Sequence, residues 1–223
     1  MGIILVKIGL FLLAYLLGSI PNGLIVGKVF LKIDLREEGS KNIGTSNALR
    51  VMGLYLGALT LLLDVLKGAV VILIATYVLP EAYSTMTIFG TLYNTAILYG
   101  VVAVIGHTFS IFINFKGGKA VGASLGVVFS LTPIIGLVAL FTYIVVVLLT
   151  KYASVGSTIA ALSVGIGTII QFAILGTINE NLFLIIVYWL MILFIFYKHI
   201  PNYKRLLKKE ENKMTLGNKN KSR

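Results

Sequence analysis

The run Leu182-Phe-Leu-Ile-Ile-Val-Tyr-Trp-Leu-Met-Ile-Leu-Phe-Ile-Phe-Tyr197 carries no charged side chain over sixteen consecutive residues. A helix of this composition has no face to offer water, and with its flanks it reaches the roughly 20 residues that cross a bilayer. Val101–Ile105 and Leu137–Leu149 are likewise free of charge. The whole composition agrees. Hydrophobic residues make up 58% of the chain and charged residues 12%, with a mean hydropathy of +0.98, whereas a soluble domain is about a quarter charged. The fold expected is an all-α, polytopic transmembrane helix bundle.

The spans follow from the spacing of apolar and polar stretches. The first covers about Ile3–Val26; the polar Ser19–Gly23 that breaks it does not read as a signal-peptide cleavage site. The stretch Val51–Leu79 is too long for one straight span and is interrupted by Asp64 and Lys67. A third span is expected over about Ile88–Ile105. Loops rich in Lys and Arg belong on the cytoplasmic side, and these are 28–50, 116–119, Lys151 and the C-terminal tail. The loops at Glu81 and Glu180 have no cation nearby and belong outside. If 120–150 were a single span, Lys151 would land outside. Dividing it near Thr132–Pro133 gives seven spans, the N-terminus outside and the C-terminus cytoplasmic, at the cost of a short fourth span, Val121–Leu131. Residues 1–200 then form one transmembrane domain and 201–223 a basic tail. From Lys198 to Arg223 there are nine Lys/Arg against two Glu, a topology signal and a contact for anionic lipid. No aromatic–basic interleaving points to nucleic acid.

On this topology every polar cluster falls on the cytoplasmic face. The first runs from Gly39 through Ser40, Lys41, Asn42, Gly44, Thr45, Ser46 and Asn47 to Arg50. Glycines let a backbone curl into a cradle of N–H donors at a helix start, and an arginine one turn in clamps phosphate with two parallel bonds. An ordinary helix cap also favours Ser, Thr and Asn but needs fewer of them. The second is Gly106–Lys119, where Lys116-Gly117-Gly118-Lys119 sets two cations on a turn. That turn reads as an anion cradle or, equally, as a pair of positive-inside anchors, and His107 as a general base, a phosphate donor or a structural group. Asp64 and Lys67, at i and i+3, pair on one helix face within an apolar stretch. The fourth, Lys198–Arg205, reads on charge alone as a solvated tail.

Absences narrow the chemistry. There is no cysteine, so no disulfide, thiolate metal site or Cys nucleophile is available. Neither His has an Asp five residues on, no phosphate-binding P-loop occurs, and eight Asp and Glu are too few for a carboxylate-rich two-metal site. Neither a metal nor a cofactor is expected.

These residues together resemble the acyl-phosphate-dependent glycerol-3-phosphate acyltransferases of bacterial membranes, the PlsY family. The resemblance covers Gly18–Pro21, Gly39–Arg50, Asp64–Gly68, Gly106–Lys119, Lys151–Ser157 and His199-x-x-Asn202-x-x-Arg205-Leu206 with Glu211. Ser110 stands where that family usually has Pro, Ile200–Pro201 where it has an Arg/Glu pair, and Lys209 where it has Gly. The resemblance implies a seven-helix enzyme of the bacterial plasma membrane. It would move a fatty acyl group from acyl phosphate to the sn-1 hydroxyl of glycerol 3-phosphate, with no covalent intermediate, giving lysophosphatidic acid and phosphate. It implies catalytic roles for Ser40, Arg50, His107, His199 and Asn202. Substrate contacts are implied for Gly39, Lys41, Asn42, Gly44, Thr45, Asn47, Lys67, Lys116, Gly117, Gly118, Lys119, Arg205 and Glu211. The proton acceptor stays open among His107, His199 and a substrate phosphate oxygen. The lack of a buried His–carboxylate pair favours the phosphate.

Two other functions compete. A permease for a phosphorylated solute needs a midplane site open to both sides, and only Asp64 and Lys67 qualify. A lipid-binding scaffold accounts for the basic tail but gives Ser40–Asn47 nothing to do.

Overall fold

The computed structural model describes residues 2–88 and 91–214; the last nine residues of the basic tail lie outside the described residues. Helix α1 is Gly2–Ser19, followed by the short α2, Asn22–Val26, which widens into a π-type turn, Gly27–Leu31. Next come α3, Thr45–Leu73, and a two-stranded antiparallel hairpin, β1 Thr85–Ile88 and β2 Thr91–Asn94. Five helices complete the chain: α4 Ile97–Thr108, α5 Val121–Leu131, α6 Pro133–Thr150, α7 Ala153–Leu175 and α8 Leu182–Leu207.

Among the described residues, five helical segments are long and apolar enough to cross a membrane: Gly2–Ser19, Thr45–Val78, Pro133–Thr150, Ala153–Leu175 and Leu182–Leu207. The apolar stretches Ile97–Ile113 and Val121–Leu131 are shorter. At about 1.5 Å per residue α5 reaches only about 16 Å, half the hydrocarbon thickness. Three sequence expectations change. The third apolar segment starts at Ile97, not Ile88, because Thr85–Ile88 and Thr91–Asn94 pair as strands instead. The interruption of the second segment is not at Asp64 and Lys67, through which α3 runs unbroken. It is at Gly53 (φ 81°, ψ −177°), in a region essentially closed to side chains. The chain folds back there, so that a Cβ on Gly57 would stand 2.6 Å from Leu49 Cα. The domain boundary drawn at residue 200 falls inside α8, which continues through Pro201 to Leu207.

Lipid tails are as apolar as leucine, so helices in a bilayer associate through close backbone packing. A Cβ on Gly18 would lie 2.1 Å from the Ala103 carbonyl oxygen, so α1 and α4 touch backbone to backbone. Gly68 against Ala123 does the same for α3 and α5. The core so formed includes Ala14, Ile72, Ala103, Val127 and Tyr188, while Leu12, Leu137, Ile174 and Leu190 face outward.

Candidate active site

Helices α5 and α7 begin, and α6 and α8 end, at the same end of the bundle. The loop before α3 folds over that end, and the chain after α8 returns to it. Between them lies a cavity open at its mouth, with about 1330 Å³ of empty space when the solvent-filled mouth is included. Its mouth is polar, lined by Ser40, Asn42, Thr45, Arg50, Lys119 and His199 among others. Its depth is apolar, with Leu125, Val128, Ala160, Ala161, Val164 and Ile192 on the walls.

The first cluster builds one wall around Asn47, which is 1% exposed. Its Oδ1 accepts from Ser40 N–H (2.8 Å) and Arg50 Nη1 (3.3 Å), and its Nδ2 donates to the carbonyls of Leu35, Glu38 and Asn42. These bonds use the amide's whole capacity. Asn47 therefore shapes the cradle. Asn42 Oδ1 takes the Gly44 N–H in a tight turn (2.8 Å) that launches α3, and Gly39 lies so close to Asn47 Oδ1 that a Cβ would clash. Thr45 Oγ1 is buried with no partner among the described residues, and Ser40, Gly44 and Thr45 line the cavity; Lys41 is exposed and does not. Arg50 donates through Nε to the Lys213 carbonyl (3.1 Å) and through Nη2 to that of Asn212 (3.2 Å), both on the returning C-terminal strap.

The second cluster divides. Gly117 N–H and Gly118 N–H are spent on the carbonyls of Thr108 and His107, both at 3.0 Å. A Cβ on Gly118 would sit 2.1 Å from His107 Nε2, so the glycine allows the loop to lie on the imidazole edge. Lys116 is exposed, and none of Lys116, Gly117 and Gly118 lines the cavity. Lys119 does, and burial followed by the nearby Arg205 charge pushes its ammonium down to about 8. Ser110, the departure from Pro, donates its hydroxyl to the Ser19 carbonyl and ties this loop to the end of α1.

Asp64 and Lys67 pair at 2.9 Å, both buried, with Asn22 Nδ2 donating to Asp64 Oδ1 (3.0 Å) and Lys67 Nζ to the Ile20 carbonyl (2.7 Å). Lys67 does not reach the cavity. His107 Nδ1, from α4, stands 3.7 Å from Asp64 Oδ1. A buried His and a buried carboxylate thus stand side by side, beyond hydrogen-bond distance, a juxtaposition the sequence reading did not expect because it is assembled between helices.

The fourth cluster is no solvated tail. His199 (3% exposed) and Asn202 (6%) lie one turn apart on the inner face of α8 and line the cavity. His199 Nδ1 is 2.8 Å from the Ile195 carbonyl. A carbonyl only accepts, so Nδ1 carries the hydrogen and a neutral ring has Nε2 as acceptor. Asn202 Oδ1 accepts from Lys119 Nζ (2.5 Å), and its Nδ2 donates to Glu211 Oε1 (2.6 Å). Glu211 Oε2 also accepts from Arg205 Nε (2.8 Å), which leaves Arg205 behind the carboxylate and off the cavity.

Comparison with known proteins identifies the fold and its lineage. Residues 8–209 match the family model described as glycerol-3-phosphate acyltransferase. The chain belongs to that family. It is 40% identical over 213 residues to the glycerol-3-phosphate acyltransferase of Acholeplasma laidlawii, covering 90% of each chain. With that of Fusobacterium nucleatum it shares 39% over 201 residues, 90% of this chain and 94% of the relative. The crystal structure of PlsY (YgiH), an integral membrane glycerol 3-phosphate acyltransferase in its glycerol 3-phosphate form, superposes with a TM-score of 0.76 at 33% identity. That superposition covers 94% of this chain and 96% of the other; the lysophosphatidic acid form gives 0.74 at 33%, covering 93% and 94%. This chain is thus an integral membrane acyltransferase of the PlsY family.

Sequence reasoning on this acyltransferase missed several lining residues, Ser124, Tyr143, Ser154 and Ser157 among them. Ser154 and Ser157, both buried at the start of α7, sit in the quoted Lys151–Ser157 motif at helical i, i+3 spacing, which was the signal available. Ser124 and Tyr143 lie in apolar helices with no local mark; Tyr143 OH is 3.2 Å from Ser46 Oγ.

Proposed function

We propose that this acyltransferase moves a fatty acyl group from acyl phosphate to the sn-1 hydroxyl of glycerol 3-phosphate, releasing lysophosphatidic acid and inorganic phosphate. The single observation that carries the reading is the cavity's change from a cationic, hydroxyl-rich mouth to an apolar depth. Two phosphates suit the first part and one hydrocarbon chain the second.

In this reading Arg50, with Ser40 and Thr45, holds the phosphate of glycerol 3-phosphate, and Lys119 meets the phosphate of the donor. Asn47, Asn42, Gly39 and Gly44 shape the first cradle; Gly117 and Gly118 seat the second loop on His107. Glu211 and Arg205 fix Asn202, which in turn aims Lys119. Asp64, Lys67 and His107 brace the end of α1 against α3 and α4.

The donor is already a mixed anhydride with a good leaving group, so the sn-1 oxygen attacks its carbonyl carbon directly. The C–O bond to phosphate breaks, and phosphate departs with the former bonding pair. Holding both substrates in one cleft supplies much of the rate, and the cations stabilise the charge gathering on the leaving phosphate. The hydroxyl proton passes to His199 Nε2. The Ile195 carbonyl favours this acceptor by fixing the ring tautomer; His107 also lines the cavity, but its Nδ1 faces Asp64 and Gly118 packs against its Nε2 edge.

Helices α1 and α3 to α8 make seven membrane-embedded segments in this proposal, the short α5 reaching only partway across, with the N-terminus outside and the site on the cytoplasmic face of the bacterial plasma membrane. The clustering of Lys and Arg in the site-bearing loops supports that orientation. The test is purified protein with glycerol 3-phosphate and either acyl phosphate or acyl-CoA. Phosphate release and lysophosphatidic acid with acyl phosphate alone are expected; turnover with acyl-CoA and not with acyl phosphate would overturn the donor assignment.

A further inference from the structure

The cavity has an end as well as a mouth. Its lining stops at Val128 on α5, Ala139 on α6, Val164 on α7 and Tyr188 on α8. Tyr188 is 1% exposed, and its hydroxyl lies 3.0 Å from that of Thr132, at the junction of α5 and α6. Thr132 is itself 2% exposed and bonded to the Val128 carbonyl (3.3 Å). A polar group in a hydrocarbon-like interior gives up such a bond at high cost. The pair therefore fixes a large aromatic side chain at the deep end of a passage in which Ala139, Ala160 and Ala161 leave the width.

We propose that Tyr188, held by Thr132, is the stop of the acyl passage and sets the longest acyl chain used efficiently. This rests on the reading that the apolar depth receives the donor's hydrocarbon chain. His199 and Tyr188 are eleven positions apart on one helix, about 16 Å at about 1.5 Å per residue. An extended hydrocarbon advances about 1.3 Å per carbon, given bonds of about 1.5 Å in staggered geometry. Roughly 12 carbons thus fit between the reacting end and the ring. Longer chains bend or displace the ring, and shorter ones leave space unfilled.

The experiment measures kcat/KM for a series of acyl phosphates from decanoyl to octadecanoyl, competing in pairs, with the full chain in detergent or proteoliposomes. Tyr188→Ala lengthens the passage and is expected to raise the long-to-short ratio about tenfold, the scale set by adding space for a few methylenes. Val164→Phe shortens it at the same level and shifts the ratio the other way. A merely structural role would lower all chain lengths together. If the wild type turns over acyl phosphates and both variants keep its length profile, the stop is overturned while the donor reading stands. If the wild type uses no acyl phosphate, the donor reading falls, and the stop with it.

Discussion

Lys119 Nζ donates to Asn202 Oδ1 at 2.5 Å, joining the loop before α5 to the inner face of α8. Asn202 is in turn held by Glu211, so a cation at the cavity mouth is positioned by a carboxylate it does not touch. The ammonium sits among buried walls and beside Arg205, which is why its proton is held less firmly than in water.

That environment predicts a pH limit. Lys119 is lowered to about 8, so the cation is present below that pH and is lost as pH rises through it. A neutral amine does not attract a phosphate dianion. We expect kcat/KM to fall on the alkaline side with an apparent pKa near 8, and Lys119→Arg to remove that limb. A flat wild-type profile from pH 7 to 10 would disprove the assignment.

Arg50 offers its guanidinium to the strap carbonyls of Asn212 and Lys213, bonds a phosphate can replace. Charge-assisted bonds of this kind contribute roughly 1.5–3 kcal/mol each. Arg50→Ala should cut kcat/KM for glycerol 3-phosphate by about a hundredfold or more, with normal membrane insertion. Near-normal turnover would remove Arg50 from the site.

Gly53 bends α3 with backbone angles that a Cβ forbids, although open space surrounds it. The cost of Gly53→Ala is therefore conformational, about 1–3 kcal/mol. It should appear as a lowered thermal midpoint in detergent together with weakened glycerol 3-phosphate binding, since the bend sets where Arg50 lies. An unchanged midpoint would show that the bend relaxes freely.

The Asp64–Lys67 pair is buried within the bundle. Removing one partner leaves an uncompensated charge, a loss of about 3–5 kcal/mol. Asp64→Leu should sharply reduce accumulation in the membrane, and Asp64→Leu with Lys67→Met should recover much of it. Equal accumulation of the single and double variants would mean that the pair carries no such stress.

Charge-free runs such as Leu182–Tyr197 made the helical membrane class legible at once, because hydrocarbon admits only backbones that satisfy their own hydrogen bonds. Local chemistry also marked Ser40–Arg50 as a candidate anion-binding loop, and Lys116–Lys119 as either a second one or a pair of membrane anchors, since glycine, hydroxyl and cation spacing within one loop is a short-range property. The chain alone did not decide which marked residues face the cavity. Lys67 and Lys116 turn away, Asn47 spends its bonds on the backbone and on Arg50, and His199 and Asn202 turn inward from what charge counting read as a tail. Nor did it pair Asp64 with His107, or set Tyr188 against Thr132, partners 43 and 56 residues apart. Those relations arise only when apolar helices pack, and packing between small residues leaves no periodic trace in a sequence that is hydrophobic all round.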